Sequence, residues 1–273
     1  MASNLAAPNL VPHVLYEPED SGILWIRFNR PERMNATAED TAEKVAEYMK
    51  AGDADPTIRV IVLTGVGRAF CAGNDMKDTG RRDHGEDGVD GYRQHFAHYY
   101  QQCFRDISLI RKPTIAMVNG PAAGSGLDFS LNCDLRIGSE NTRFFTYQNV
   151  GQIIENGGFY FLPRIVGLGR ALELLYTGGW LDAEEAYRWG ILNKLVPAES
   201  LEAETRALCQ KIIESPPLVQ WIGKRIMRKG LDSTLETTLD LSANAAIIVS
   251  QAEDAKEARA AFREKRTPHF KGR

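Results

Sequence analysis

A carboxylate beside a run of small residues is where this chain could do chemistry. Asp128 follows the turn Gly120-Pro121-Ala122-Ala123-Gly124-Ser125-Gly126. The apolar run Thr114 to Val118 before the turn predicts a short buried strand, and Leu127 to Cys133 after it continues as a helix. A strand, a turn of small residues and a helix start expose backbone N–H groups at the positive end of a helix. Such a turn can hold a phosphate or the oxyanion of a polarised carbonyl. It can equally be a tight bend that needs glycine for its φ angles. Asp128 falls in the first helical turn, where it can move protons beside such a site or serve only the helix dipole.

The elements that must position this stretch alternate strand and helix. Val14 to Tyr16 and Gly22 to Phe28 read as strands, Ala38 to Met49 as a helix with Ala42, Val45, Ala46 and Met49 on one face, and Arg59 to Thr64 as a strand buried on both faces. Tyr92 to Leu109 reads as a helix whose Phe96, Tyr99, Tyr100 and Phe104 are assigned to the core. Strands at Leu135 to Ile137, Thr142 to Phe145 and Asn193 to Val196 follow; Phe159 to Val166 leads into a helix, and Gly169 to Tyr176 is helical. Asp182 to Glu185 is a capping box opening a further helix that ends at Gly190. From Leu201 the pattern is helical to the end. The expected class is α/β with an all-helical C-terminal segment.

Composition narrows the functional classes. The 273 residues are 43% hydrophobic and 25% charged, with a formal net charge of −3 and a pI near 6.0. This is an ordinary globular mix with no basic excess for nucleic acid. No apolar run reaches membrane-spanning length, and Met1 to Val14 lacks the basic flank and apolar core of a secretory signal. Cys71, Cys103, Cys133 and Cys209 have no metal-like spacing and read as reduced thiols of a cytoplasmic protein. Cys71 has no clear activating neighbour. Gly65-Val66-Gly67 begins like a dinucleotide fingerprint, but Phe70 stands where the third glycine belongs. There is no phosphate-loop lysine motif and no His-Glu-x-x-His, and Ser125 lacks the flanking glycines of a nucleophile elbow.

A set of segments remains: Asn29 to Ala36, Ala69 to Lys77, Lys112 to Asp134, Leu162 to Gly167, Thr177 to Gly179, and Phe262 to Pro268. In this order and spacing they resemble the crotonase (enoyl-CoA hydratase/isomerase) superfamily over roughly residues 14 to 273. The resemblance implies a crotonase-like spiral of ββα units. It divides the chain into an arm at 1–13, a ββα core with an acyl-CoA site at 14–198, and a helical trimerisation segment at 199–273. It further implies an acyl-CoA substrate, no cofactor besides the CoA of the substrate itself, no metal, and a homotrimer or a dimer of trimers. Backbone N–H groups matching Asn74 and Ser125 would polarise the thioester carbonyl, beside Gly73 and Gly124. CoA and substrate contacts fall on Arg33, Met34, Ala36, Ala69, Cys71, Ala72, Asp75, Met76 and Lys265.

The chain departs from the family pattern at instructive places. Asn74 and Ser125 stand for the usual alanine and glycine. Asp128 stands for the first of two hydratase glutamates. The second is expected at Gln148, an amide that cannot take a proton at neutral pH. Glu155, before Asn156-Gly157-Gly158, offers a replacement carboxylate, and the family's dienoyl-CoA isomerases have acids matching both Asp128 and Glu155. Asp128 and Glu155 are therefore the expected proton-transfer pair, with Gln148 a positioning group. The expected activity is of the enoyl-CoA hydratase/isomerase type. A thioester or C–C bond hydrolase, which Gly158 to Arg164 resembles locally, and a catalytically weak CoA-binding paralogue are the alternatives.

Overall fold

The computed structural model describes residues 12–75 and 88–273. Residues 1–11 of the expected arm, Met76, and most of the Gly-, Asp- and Arg-rich stretch that begins at Asp78 lie outside the described residues.

The larger sheet begins with β1 (Val14–Pro18) and β2 (Ile23–Phe28), an antiparallel pair across a turn at Gly22. β3 (Val60–Gly65), β4 (Thr114–Val118), β6 (Leu135–Gly138) and β9 (Lys194–Leu195) add in parallel, giving the order β1-β2-β3-β4-β6-β9. Period-two alternation divides the apolar residues between the faces. Leu24, Ile26, Phe28, Ile61, Leu63, Ala116 and Val118 face the main core, with α1 (Thr41–Ala54), α3 (Gln101–Ser108) and α4 (Ser125–Asn132). Ile23, Trp25, Val60, Val62, Ile115, Met117 and Ile137 face the other way, under α8 (Leu201–Ile213). Central strands covered on both sides must be apolar throughout, as Val60 to Leu63 are.

A smaller sheet is built from β5 (Pro121–Ala123), β7 (Arg143–Phe145) and β8 (Leu181–Asp182). After β4 and again after β6 the chain steps from the large sheet to the small one and then enters helix. These are the ββα units. β5 lies where the sequence reads only a turn. A three-residue strand carries too little periodicity to be seen locally, and its pairing with β7 spans more than twenty residues.

The helices α5 (Gly158–Val166), α6 (Leu168–Thr177) and α7 (Ala183–Trp189) follow. Asp182 caps α7 as its box predicts, accepting the Glu185 N–H at 2.9 Å. α2 (Gly88–His95) runs into a π-helical turn at Phe96–Tyr100 before α3. Tyr100 and Phe104 are buried, and Phe96 and Tyr99 pack partly buried against the core, in line with the core reading of these aromatics. α9 (Pro217–Gly230), α10 (Leu235–Gln251) and α11 (Glu253–Glu264) form the helical end of the chain. No residue of α10 is buried. Among the described residues no helix is long and apolar enough to cross a membrane.

Candidate active site

The loop after β2 and the loop after β3 are tied into one wall. Met34 and Asn35 both take left-handed φ, 53° and 57°. Asn35 is buried, and its side chain accepts the Arg30 N–H and donates to Val66 O and Ala69 O. An amide with that many local partners stabilises a left-handed residue that most side chains would disfavour. The Ala72 N–H donates to Met34 O at 3.0 Å, the Thr37 N–H to Gly73 O at 2.8 Å, and the Asp75 N–H to Thr37 O at 3.2 Å. Arg30 reaches Ala36 O at 2.8 Å and pairs with Asp75 at 3.0 Å. The structure thus brings Met34, Ala36, Ala69, Cys71, Ala72, Gly73 and Asp75 together, with Arg33 exposed at the edge. The buried Asp75 carboxylate is engaged by Arg30.

The start of α4 presses on this wall. A Cβ at Gly126 would come within 2.0 Å of Cys71 O, so only glycine permits the approach. The Ala123 N–H donates to the same carbonyl at 3.0 Å. Among the described residues the N–H groups of Asn74 and Ser125 have no acceptor, the latter because it opens the helix. The two residues are also joined by their side chains. Asn74 Oδ1 accepts the Ser125 hydroxyl at 2.8 Å and the Thr37 hydroxyl at 3.0 Å. Burial pushes the Cys71 thiol up to about 12, so it stays a neutral packing group.

Asp128 is fully buried one turn into α4. Its carboxyl crosses to the start of α5, where Oδ1 accepts the Gly158 N–H at 2.8 Å and Oδ2 the Asn156 N–H at 3.1 Å. Asn132, one turn further along α4, holds the same loop by donating to Asp128 O and Asn156 O. Burial drives the Asp128 carboxyl upward. The Asn156 N–H opposes this, the charge of Glu155 adds to it, and the Gly158 N–H opposes it again, leaving the group at about 8. Desolvation therefore outweighs the helix-end donors, and the group is poised to carry a proton near neutrality.

Glu155 is partly buried in the loop that delivers Asn156 and Gly158, close enough for its charge to act on Asp128. Gln101 of α3 holds this loop through Glu155 O at 3.1 Å. Gln148, the expected positioning group, is held through both atoms of its carboxamide. Its carboxamide donates to Leu174 O at 2.7 Å and accepts from Thr146, which ties the loop to α6. Tyr147, which sequence reasoning passed over, covers both turns. It has a φ of 64°, its hydroxyl donates to Ala72 O at 2.6 Å, and a Cβ at Gly73 or Gly124 would meet its ring. Lys265 is exposed at the C-cap of α11, which packs on α10. Among the described residues no hydrogen bond joins Lys265 to the turns.

Residues 18–273 match the family Enoyl-CoA hydratase/isomerase. The chain is 32% identical over 93% of its length to the 1,2-epoxyphenylacetyl-CoA isomerase of Escherichia coli K12, covering 97% of that protein. It is 33% identical over 94% of its length to the crotonyl-CoA hydratase of Syntrophomonas wolfei, covering 96% of it. The crystal structure of an enoyl-CoA hydratase from Bacillus anthracis superimposes with a TM-score of 0.89 at 30% identity, over 96% of this chain and 100% of that one. With the family matched from β1 to the last residue and the fold shared, the chain belongs to the enoyl-CoA hydratase/isomerase family of the crotonase superfamily and is an acyl-CoA-processing enzyme.

Proposed function

We propose that this enzyme moves a proton along the acyl chain of a CoA thioester, as an isomerase. The thioester oxygen sits between the N–H groups of Asn74 and Ser125. As a proton leaves the acyl chain, charge collects on that oxygen, and two fixed main-chain donors stabilise it without having to reorganise. The Asp128 carboxylate takes the proton from a carbon activated by that carbonyl. It returns the proton at another carbon of the conjugated system, or Glu155 supplies one there. The observation that carries this reading is Asp128 itself: buried, three residues after the open Ser125 N–H, and held near a neutral pKa.

Clamping a water for hydration calls for two acids facing one point. The Gln148 carboxamide is taken up by Thr146 and Leu174 O, and Glu155 is a single partner on the opposite loop. This favours proton relocation over hydration. The relatives' names bracket the choice, one an isomerase and one a hydratase, each acting on a CoA thioester.

The enzyme works in the cytoplasm as a trimer or a dimer of trimers. Four free, buried cysteines suit a reducing compartment. α10, with Leu235, Leu239, Ile247 and Ile248 exposed, needs a covering surface.

The test is a panel of enoyl- and dienoyl-CoA esters in D2O, followed at the enoyl absorbance, by mass and by free-thiol release. Deuterium entering the acyl chain with loss or shift of enoyl absorbance and no thiol is the expected result. Thiol release without exchange, or no turnover of any ester, contradicts the proposal.

A further inference from the structure

The Asn74 carboxamide has a defined orientation. The hydroxyls of Thr37 and Ser125 are both buried, and each carries one proton that needs an acceptor. Asn74 Oδ1 is that acceptor for both, at 3.0 and 2.8 Å. Oxygen therefore faces the buried side and nitrogen faces the other way. The residue as a whole is only partly buried. Among the described residues Nδ2 meets no acceptor and is not among the buried unpaired atoms.

The backbone on either side is fixed as well. Gly73 O accepts the Thr37 N–H, and the Asp75 N–H donates to Thr37 O. Asp75 is further held by its ion pair with Arg30. The amide nitrogen is thus a preorganised donor one side chain away from the Asn74 N–H, on a residue that also bonds Ser125. An unbranched alkyl chain passing this donor would strip its water and give nothing back. An oxygen there would replace the water, and a site built to donate to an oxygen discriminates against the ligand that lacks it.

We infer that Asn74 determines acyl specificity: its Nδ2 donates to an oxygen carried by the acyl group close to the thioester carbonyl, so the site prefers oxygen-bearing acyl-CoA esters to plain alkyl ones. This rests on the reading in which the Asn74 and Ser125 N–H groups hold the thioester oxygen. Thr37 and Ser125 act as positioning residues for the amide.

The experiment measures dissociation constants by calorimetry for two isosteric pairs of saturated esters. These are methoxyacetyl-CoA against butyryl-CoA, and 4-hydroxybutyryl-CoA against pentanoyl-CoA. The wild type is expected to bind the oxygen-bearing member of at least one pair about tenfold more tightly, the scale of one added hydrogen bond. Asn74→Ala should bring that ratio to about one. Asn74→Asp keeps an acceptor for both hydroxyls, so it preserves the turn should the alanine variant unfold, and it should bring the ratio to one or below. Thr37→Val should lower the ratio by freeing the amide. Equal affinities within both wild-type pairs overturn the inference while leaving the acyl-CoA reading intact. Equal loss on both members in Asn74→Ala puts the donor on the pantetheine arm and overturns it too. Failure of the wild type to bind any of the four esters overturns the acyl-CoA reading and this inference with it.

Discussion

Asp128 Oδ1 accepts the Gly158 N–H at 2.8 Å, and a Cβ built on Gly158 would lie 2.5 Å from that same oxygen. Helix α5 can therefore start against the carboxyl only with glycine at its first position. Gly158→Ala should push Asp128 off its donor and lower kcat by about 10²-fold, the scale of a misplaced general base. CoA-ester affinity should change by only a few-fold, because the turns at Asn74 and Ser125 are untouched. Steady-state kinetics beside calorimetric titration checks this. Full activity in the variant contradicts it.

The side-chain bond between Asn74 and Ser125 makes their substitutions interdependent. Asn74→Ala strands two buried hydroxyls, and Ser125→Gly removes one donor from the Asn74 carbonyl. In Asn74→Ala/Ser125→Gly only the Thr37 hydroxyl is left without this partner, and both main-chain donors remain. The combined loss in kcat/KM should fall short of the sum of the single losses by about 1 kcal/mol or more. Strict additivity in a double-mutant cycle would show that the bond has no consequence for the site.

Tyr147→Phe keeps the ring on Gly73 and Gly124 but removes the donor to Ala72 O. That carbonyl belongs to the residue before Gly73-Asn74, so the turn should loosen. The expected loss is about three- to tenfold in kcat, with KM moved less. Equal kinetics for the Tyr147→Phe variant and wild type would reduce Tyr147 to a packing group.

Much of this molecule was legible from the sequence, and the exceptions have physical causes. Arg59 to Thr64 reads as a strand buried on both faces and Thr114 to Val118 as a short buried strand, and both are legible because both of their faces are covered. The Asp182 cap is a local bond and was read as one. Asp128 could be singled out because the small-residue turn precedes it directly. Tyr147 could not, because its partners Ala72, Gly73 and Gly124 are far away in sequence and its left-handed backbone breaks strand alternation. Gln148 stands where the second glutamate is expected, but its side chain is directed at Leu174 O, a distant partner that no local pattern shows. The bond between Asn74 and Ser125 is equally invisible, since the two residues are far apart in sequence and no local pattern pairs their side chains.

Asp128 should also mark the pH dependence of stability. Its carboxyl is raised from 3.8 to about 8 in the folded protein, with burial the first cause and the Glu155 charge adding to it. The folded state then holds a proton that the unfolded chain has released between about pH 4 and 8, so this group's contribution is favourable at low pH and is lost as pH rises through 8. Glu19, Asp55 and Glu257 have lowered pKa values and act only in more acidic solution. Between pH 5.5 and 9 the thermal midpoint of wild type should therefore fall relative to that of Asp128→Asn. Parallel curves contradict the assignment.

The proposed assembly is tested at the uncovered helical end. Met227, Leu231, Leu235, Leu239, Ile247, Ile248 and Phe262 are exposed in the single chain. Light scattering at micromolar concentration should return a trimeric or hexameric mass, and removal of residues 250–273 should weaken it. A monomeric mass contradicts the oligomeric reading.

Turnover of Asp128→Asn on the best substrate found, at matched saturation with ester and in D2O, reports whether Asp128 carries the proton. Conversion and deuterium incorporation should both disappear, with ester affinity within a few-fold of wild type. Turnover and exchange at wild-type rates would show that another group moves the proton and would contradict the account.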